Sequence, residues 1–176
     1  ISMTFTCAAP PACAEPTSLS ASAQQTSVDL AWTAGDSETI WDIELVDVTA
    51  GGSATGTPTT EDITTNPYTL SGLTSSNDYD VYLRADCSGD NSETSDWLSV
   101  SFTTLAGCGD SVSFCYAGGL VKHTELESLG DLVTVTVNSG STESGYDDLV
   151  IFDSLDTSGN VLYNTDGDHT GVSVTS

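Results

Sequence analysis

An acidic segment that leads into an apolar run is the part of the sequence best suited to chemistry. Tyr146 is followed by Asp147 and Asp148, then by the apolar residues 149–152, and the run ends at Asp153. Carboxylates at the mouth of a β-strand can supply the hard oxygen ligands that Ca²⁺ prefers. The segment therefore predicts a calcium site beside a strand.

The sequence carries no recognisable catalytic motif. It has no Gly-x-Ser-x-Gly elbow, no phosphate-binding loop ending in Gly-Lys-Ser or Gly-Lys-Thr, and no His-Glu-x-x-His metal motif. Ser, Asp and His are all present, but a catalytic triad is defined by geometry, and so many Ser and Asp residues make their presence uninformative. We therefore expect a protein that is not an enzyme.

The balance of charge argues against two classes of partner. The chain has 26 Asp and Glu residues against only Arg84 and Lys122, for a net charge of −24. Binding nucleic acid requires cationic groups that replace its counterions, and an anionic membrane surface repels this chain for the same reason. The excess of acid fits either solubility in a salty medium or binding of divalent cations by a subset of the carboxylates.

The cysteine content favours an oxidising, extracellular compartment. The five cysteines are Cys7, Cys13, Cys87, Cys108 and Cys115. A zinc site is the competing interpretation, but there is no Cys-x-x-Cys pair, and neither His123 nor His169 stands at a ligand spacing from a cysteine. Because the count is odd, one cysteine must be free or must pair outside this sequence.

No apolar stretch approaches the roughly 20 residues that a membrane-spanning helix needs. No signal peptide led by Lys or Arg opens the chain either, so we interpret the sequence as a mature or excised segment. We expect it to be soluble, without membrane insertion.

The first half of the chain, from Pro16 to Thr104, has the pattern of a seven-strand, all-β sandwich. Short runs alternate apolar and polar residues at period two, and turn-rich pieces such as Gly51-Gly52-Ser53 and Asn66-Pro67 separate them. These predicted strands cover residues 28–32, 40–46, 68–70, 79–85 and 100–103. We expect the aromatic residues Trp32, Trp41, Tyr79 and Tyr82 to pack in the core or at its corner.

Residues 13–104 resemble a fibronectin type III domain. Trp32 stands where that family has its core tryptophan, and Leu73 followed six residues later by Tyr79 resembles the family's turn into the sixth strand. There the tyrosine hydroxyl caps a backbone group at the sandwich corner. Residues 102–104 resemble the closing strand. The resemblance also extends to Cys13 and Cys87, which match an extra cysteine pair of many such modules from the Bacteroidetes and so imply a disulfide.

Residues 108–176, after a short linker at 105–107, resemble an incomplete CUB-like jelly-roll sandwich. Predicted strands cover 131–137, 149–152, 161–163 and 172–174, and the acidic segment matches that family's pattern of Tyr-Asp, apolar strand and Asp. The resemblance implies that Asp147 is a calcium ligand, with Glu143 as the nearest acidic companion. The chain has Asn138 and Ser139 where the family's upstream acid usually stands, and the remaining candidate ligands are Asp166 and Asp168.

Both ends of the sequence predict a longer tandem array. Residues 1–12 resemble the last strand of a preceding module and a linker, and the final residues resemble a strand of an unfinished module. Cys7 would then pair upstream, and Cys108 would form a local bridge with Cys115. Two Asp-Ser-aliphatic tripeptides also match a Bacteroidetes O-glycosylation signal, at Ser111 and Ser154.

The function that these resemblances imply is a non-catalytic modular segment of a bacterial extracellular protein, at the cell surface or secreted. It would act as an adhesin stalk, surface fibre or filament component, with other copies, neighbouring modules or a surface glycan or protein as partners. One alternative is the accessory spacer of a secreted hydrolase, and another is a calcium-dependent module that binds glycan or protein. The resemblance also implies type IX export.

Overall fold

A computed structural model describes residues 13–113, 115, 124–126, 132–154 and 156–176. The regular elements of these residues are all β-strands, as predicted. No helix among them is long and apolar enough to cross a membrane. The chain divides into two compact units between Thr104 and Leu105.

The first unit is a sandwich of two antiparallel sheets with a fibronectin type III-like arrangement. Three strands in the order β1-β2-β5 form one sheet, and four in the order β4-β3-β6-β7 form the other. The strands are β1 (Thr17–Ala23), β2 (Ser27–Thr33), β3 (Trp41–Asp47), β4 (Thr60–Ile63), β5 (Tyr68–Ser71), β6 (Asp78–Ala85) and β7 (Leu98–Thr103).

The seven-strand sandwich and its five located strands are confirmed, and the remaining two strands, β1 and β4, were not located from the sequence. Both lie at the edge of a sheet, so each is paired on one side only. Their sequences, Thr-Ser-Leu-Ser-Ala-Ser-Ala and Thr-Glu-Asp-Ile, bury few side chains. β4 has only one apolar residue, Ile63, and so lacks the alternation by which a half-buried strand is recognised. β1 does alternate, with Leu19 and Ala21 against the core, but its small Ser and Ala side chains make the pattern weak.

The core lies between the two sheets, and the predicted core residues are confirmed in it. Trp32 and Leu73 are each 7% exposed and Tyr79 is 4% exposed. The rings of Trp32 and Trp41 meet edge to face with centroids 5.3 Å apart. Tyr82 is an exception to the prediction, because strict alternation along β6 turns its side chain to the outer face, away from buried Val81 and Leu83.

The tyrosine corner implied by the resemblance is present. The backbone N–H of Thr74 donates a hydrogen bond to the Tyr79 hydroxyl at 2.9 Å. We expect Tyr79→Phe to lower the free energy of unfolding by about 1–2 kcal/mol, because the amide loses its acceptor beside the core. Urea unfolding would measure this, with Tyr146→Phe at an 82% exposed position as the control. Equal stability of the two variants would contradict the role of the corner.

The second unit pairs its described strands in two antiparallel ribbons. β9 pairs with β10 and β8 pairs with β11. Its strands are β8 (Thr134–Thr136), β9 (Leu149–Phe152), β10 (Val161–Thr165) and β11 (Ser173–Thr175). The predicted linker 105–107 packs within this unit, since Ala106 is 4% exposed and pairs with Leu126.

Candidate functional site

Two loops of the second unit come together where the sequence predicts calcium ligands. The N–H of Gly145 and the hydroxyl of Ser144 both donate to Asp166 Oδ2, the second at 3.3 Å. Thr142 and Gly167 add a reciprocal pair: the Thr142 N–H donates to the Gly167 carbonyl at 2.9 Å, and the Gly167 N–H donates to Thr142 Oγ1 at 3.1 Å. These hydrogen bonds therefore join the turn at residues 142–145 to the loop that contains Asp166 and Gly167.

The four predicted ligands are divided between these loops. The backbone carbonyl of Glu143 accepts the N–H groups of Tyr146 and Asp147, at 3.2 and 3.0 Å. The carboxylate of Asp168 accepts the N–H of Thr170 at 2.9 Å. Among the described residues, no three acidic, His or Cys side chains are grouped closely enough to hold a metal ion. Calcium binding stays a prediction, and the structure shows no assembled cage for it.

The carboxylates on the second loop serve as fixed hydrogen-bond acceptors. The Gly145 amide holds the pKa of Asp166 below its usual range. The Thr170 amide and hydroxyl do the same for the pKa of Asp168. Both groups are therefore ionised at neutral pH, and their local chemistry is to order the loops rather than to exchange protons.

His169 anchors the same loops from inside, a role that sequence reasoning missed. Its side chain is buried, with 2% of the residue exposed. Nε2 lies 3.0 Å from Thr142 Oγ1, and Nδ1 lies 3.2 Å from the Tyr163 hydroxyl. Hydroxyls can donate or accept, so they satisfy either tautomer of the ring. An isolated His in a polar turn gives no sequence signal of such burial.

The Cys13–Cys87 disulfide implied by the resemblance is formed in the first unit. Its Cα atoms are 5.7 Å apart and the bridge spans 74 residues of sequence. Cys13 packs against the hydrophobic core. The bridge therefore ties the chain just before β1 to the loop that follows β6.

The loop that follows β6 and contains Cys87 is held in place by Asp86, another residue that sequence reasoning missed. Asp86 is 2% exposed, and its Oδ1 accepts the Ser88 N–H, the Ser88 hydroxyl and the Gly89 N–H at 2.9–3.0 Å. Its Oδ2 accepts the Asn91 N–H at 3.1 Å. The signal was available, because Asp followed two and three residues later by Ser and Gly is typical of an Asx turn.

The outer face of the four-stranded sheet buries further polar groups. Asp42 has no exposed surface, and its Oδ2 accepts the Arg84 Nε–H at 3.1 Å. The Arg84 guanidinium also donates to Asn91 Oδ1 and lies 4.6 Å from the centre of the Trp97 ring. The guanidinium is thus held between a carboxylate, an amide and an aromatic face.

Acid should weaken the sandwich through its buried carboxylates. Burial raises the pKa of Asp86, but hydrogen bonds from Ser88, Asn91 and Gly89 outweigh it and leave the pKa below its usual range. Burial likewise raises the pKa of Glu44, and hydrogen bonds from Thr55 and Gly56 outweigh it. A carboxyl with a lowered folded-state pKa stabilises the fold above its unfolded pKa of about 4 and loses that contribution as pH falls through the folded value.

We therefore expect the urea midpoint to hold between about pH 5 and 8 and to fall below about pH 4. The variant Glu44→Gln should show a shallower fall, and Asp96→Asn, at an exposed position, should follow the wild-type curve. A midpoint that stays constant down to about pH 2 would contradict this account.

The predicted bridge between Cys108 and Cys115 is wrong in this structure, where both residues are exposed free thiols. Cys108 belongs to a tight turn closed at both ends: the Asp110 N–H donates to the Gly107 carbonyl at 3.1 Å, and the Gly107 N–H donates to Asp110 Oδ2 at 2.9 Å. This turn fixes Cys108 on the surface without a disulfide. Cys7 lies outside the described residues, so its pairing stays a prediction.

The two predicted glycosylation sites are both exposed. The Ser154 hydroxyl donates to the Asp156 carbonyl at 2.6 Å, so modification there would break a loop hydrogen bond. Ser111 lies on the surface beside the Gly107–Asp110 turn. Glycosylation stays a prediction that the masses of the two peptides would decide.

Comparison with known proteins gives structural likenesses at low identity. No protein-family model and no curated protein matches the chain. The FN5 domain of Drosophila Lar is 17% identical over 50% of this chain and 94% of its own length, with a TM-score of 0.37. A domain named FN3tt is 20% identical over 51% of this chain and 91% of its own, also with a TM-score of 0.37. A two-domain fibronectin type III segment from chicken tenascin is 18% identical over 91% of this chain and 82% of its own, with a TM-score of 0.44.

Proposed function

We propose that this chain is a non-catalytic modular segment of a bacterial extracellular protein, acting as a stalk, surface fibre or filament component. The observation that carries the proposal is the Cys13–Cys87 disulfide, which closes the sandwich around its core. Disulfides persist in oxidising compartments and are rare in the cytosol.

The use of polar groups in the sandwich also supports a structural role. Asp86 and Glu44 are buried, and backbone and hydroxyl donors fill their hydrogen-bonding sites. Asp42 is paired with Arg84. Groups that fix loops and strands in this way stabilise one conformation, which is what a module that carries tension or acts as a spacer requires.

The chemistry of the surface fits the same proposal. A net charge of −24 keeps a protein soluble and repels nucleic acid and anionic membranes. The partners we propose are other copies or neighbouring modules of a longer array, or a surface glycan or protein. The CUB-like nature of residues 108–176, the origin in the Bacteroidetes and type IX export belong to this proposal as well.

Immunolabelling of intact source cells with antibodies against residues 13–104 tests the location. We expect labelling without permeabilisation, or recovery of the protein in the medium. Labelling only after permeabilisation would refute the extracellular role. Mass spectrometry of the full-length protein would separate the alternatives, because a catalytic domain on the same polypeptide would make this segment the spacer of a hydrolase.

A further inference from the structure

We propose that the Cys13–Cys87 disulfide makes the sandwich a tether of limited extensibility. Tension bypasses the backbone of strands β1–β6 and acts instead on the hydrogen bonds that pair β7 with β6. This inference rests on the proposed role as a stalk or fibre. It concerns what such a module does under tension, which neither the fold nor the extracellular location implies.

The position of the bridge in the chain defines the bypass. Cys13 precedes β1 and Cys87 follows β6, so the covalent loop of 74 residues contains six of the seven strands. Tension that enters the sandwich at Cys13 can cross the sulfur–sulfur bond directly to Cys87. The chain between them carries no load while the bond is intact, and only residues 88–104 can be pulled out.

Both ends of the bridge are held by the surrounding structure. The Ala14 N–H donates to Glu38 Oε1 at 3.0 Å. A Cβ atom at Gly35 would lie 2.5 Å from the Glu15 carbonyl oxygen. The segment after Cys13 therefore packs closely on the loop at residues 35–38. On the other side, the Cys87 N–H donates to the Glu93 carbonyl at 2.9 Å. The load therefore enters at fixed points rather than through slack loops.

The loaded pair of strands is pulled along its length. β6 and β7 are antiparallel, with Leu83 opposite Leu98 at the end near Cys87 and Asp78 opposite Thr103 at the far end, where the chain leaves the sandwich. Pulling Cys87 and Thr104 apart therefore draws each strand toward its own C-terminal end. All six paired positions must slip together, unlike in peeling, where the pairs break one at a time.

Side-chain hydrogen bonds reinforce this loaded pair. The Ser101 hydroxyl donates to Asp80 Oδ1 at 2.5 Å, and the Thr103 hydroxyl donates to Asp78 Oδ1 at 2.6 Å. A bond of the same kind lies inside the covalent loop, where the Thr69 hydroxyl of β5 donates to Asp29 Oδ1 of β2 at 2.5 Å. This Thr69–Asp29 bond joins two strands that the disulfide shields from tension.

Single-molecule stretching of the whole chain between handles at its two ends tests the proposal. To prevent reshuffling, Cys7, Cys108 and Cys115 are replaced by serine. With the bridge closed, the sandwich should release at most about 60 Å of chain, because about 17 residues lie beyond Cys87. After reduction, the total extension should increase by about 260 Å, corresponding to the 74 residues of the loop. The second unit contributes equally in both states.

Matched variants test the loading of β6 and β7. In the oxidised chain, Ser101→Ala with Thr103→Val should lower the force of the short opening event, whereas Thr69→Val should leave it unchanged. An oxidised chain that extends as far as the reduced one would overturn the proposal, as would equal force changes in the loaded and shielded variants. If the lengths agree but labelled protein is found only inside cells, the proposed function fails while this mechanical property stands.

Discussion

Replacing Cys13 and Cys87 together with serine should lower the free energy of unfolding of the sandwich by about 4 kcal/mol. The bridge closes a loop of 74 residues, and its main effect is to reduce the conformational freedom of the unfolded chain. For a domain of this size, the loss corresponds to a fall of roughly 20 °C in Tm. Calorimetry of the oxidised wild type and the double variant would measure it.

The exposed thiols provide the matched control for this experiment. Replacing Cys108 and Cys115 with serine removes the same number of sulfur atoms from positions that form no bridge in the structure. We expect that variant to unfold at the wild-type midpoint. If the two double variants are equally stable, the Cys13–Cys87 bridge does not stabilise the sandwich.

The variant Arg84→Met should destabilise the sandwich by about 3–5 kcal/mol. Asp42 has no exposed surface, and its other hydrogen bond is a long one of 3.4 Å from the Asp62 N–H to Oδ1. Without the guanidinium, the Asp42 carboxylate would stay buried without a counter-ion, which costs more than losing both charges together. Urea unfolding at neutral pH would measure the change.

A second substitution separates this effect from a loss of packing. When Asp42→Leu accompanies Arg84→Met, the ion pair is replaced by two apolar side chains, and most of the lost stability should return. If the double variant is as unstable as Arg84→Met alone, the cost comes from the lost contact of the Arg84 guanidinium with the Trp97 ring rather than from an unpaired charge.

The sandwich could be predicted from sequence where strands bury one face. Val28, Leu30 and Trp32 alternate along β2, and Val81 and Leu83 alternate along β6, so period-two patterning placed both strands in the core. β4 was not found in this way because Ile63 is its single apolar residue. In β1 the alternation of Leu19 and Ala21 with serines is present, but the small Ser and Ala side chains make it weak.

Sequence reasoning singled out two loops that hydrogen bonds join in the structure, while calcium binding there stays a prediction. The Tyr-Asp pattern placed Asp147 just before β9, and the structure brings the Asp166 loop beside the turn that precedes this strand. The roles of Asp86 and His169 depend on burial and on hydrogen bonds to distant or backbone groups, which a pattern of residue types does not encode. The surface position of Cys108 likewise depends on a turn geometry that cysteine spacing does not reveal.

The most direct test of the proposal that this chain is an extracellular module closed by a disulfide is the oxidation state of Cys13 and Cys87 in protein taken from its source. Cells and medium would be treated with a thiol-blocking reagent at harvest, and non-reduced peptides analysed by mass spectrometry. The account predicts a cross-linked peptide pair that contains Cys13 and Cys87 and appears as separate peptides only after reduction. Recovery of both residues as blocked free thiols would contradict it.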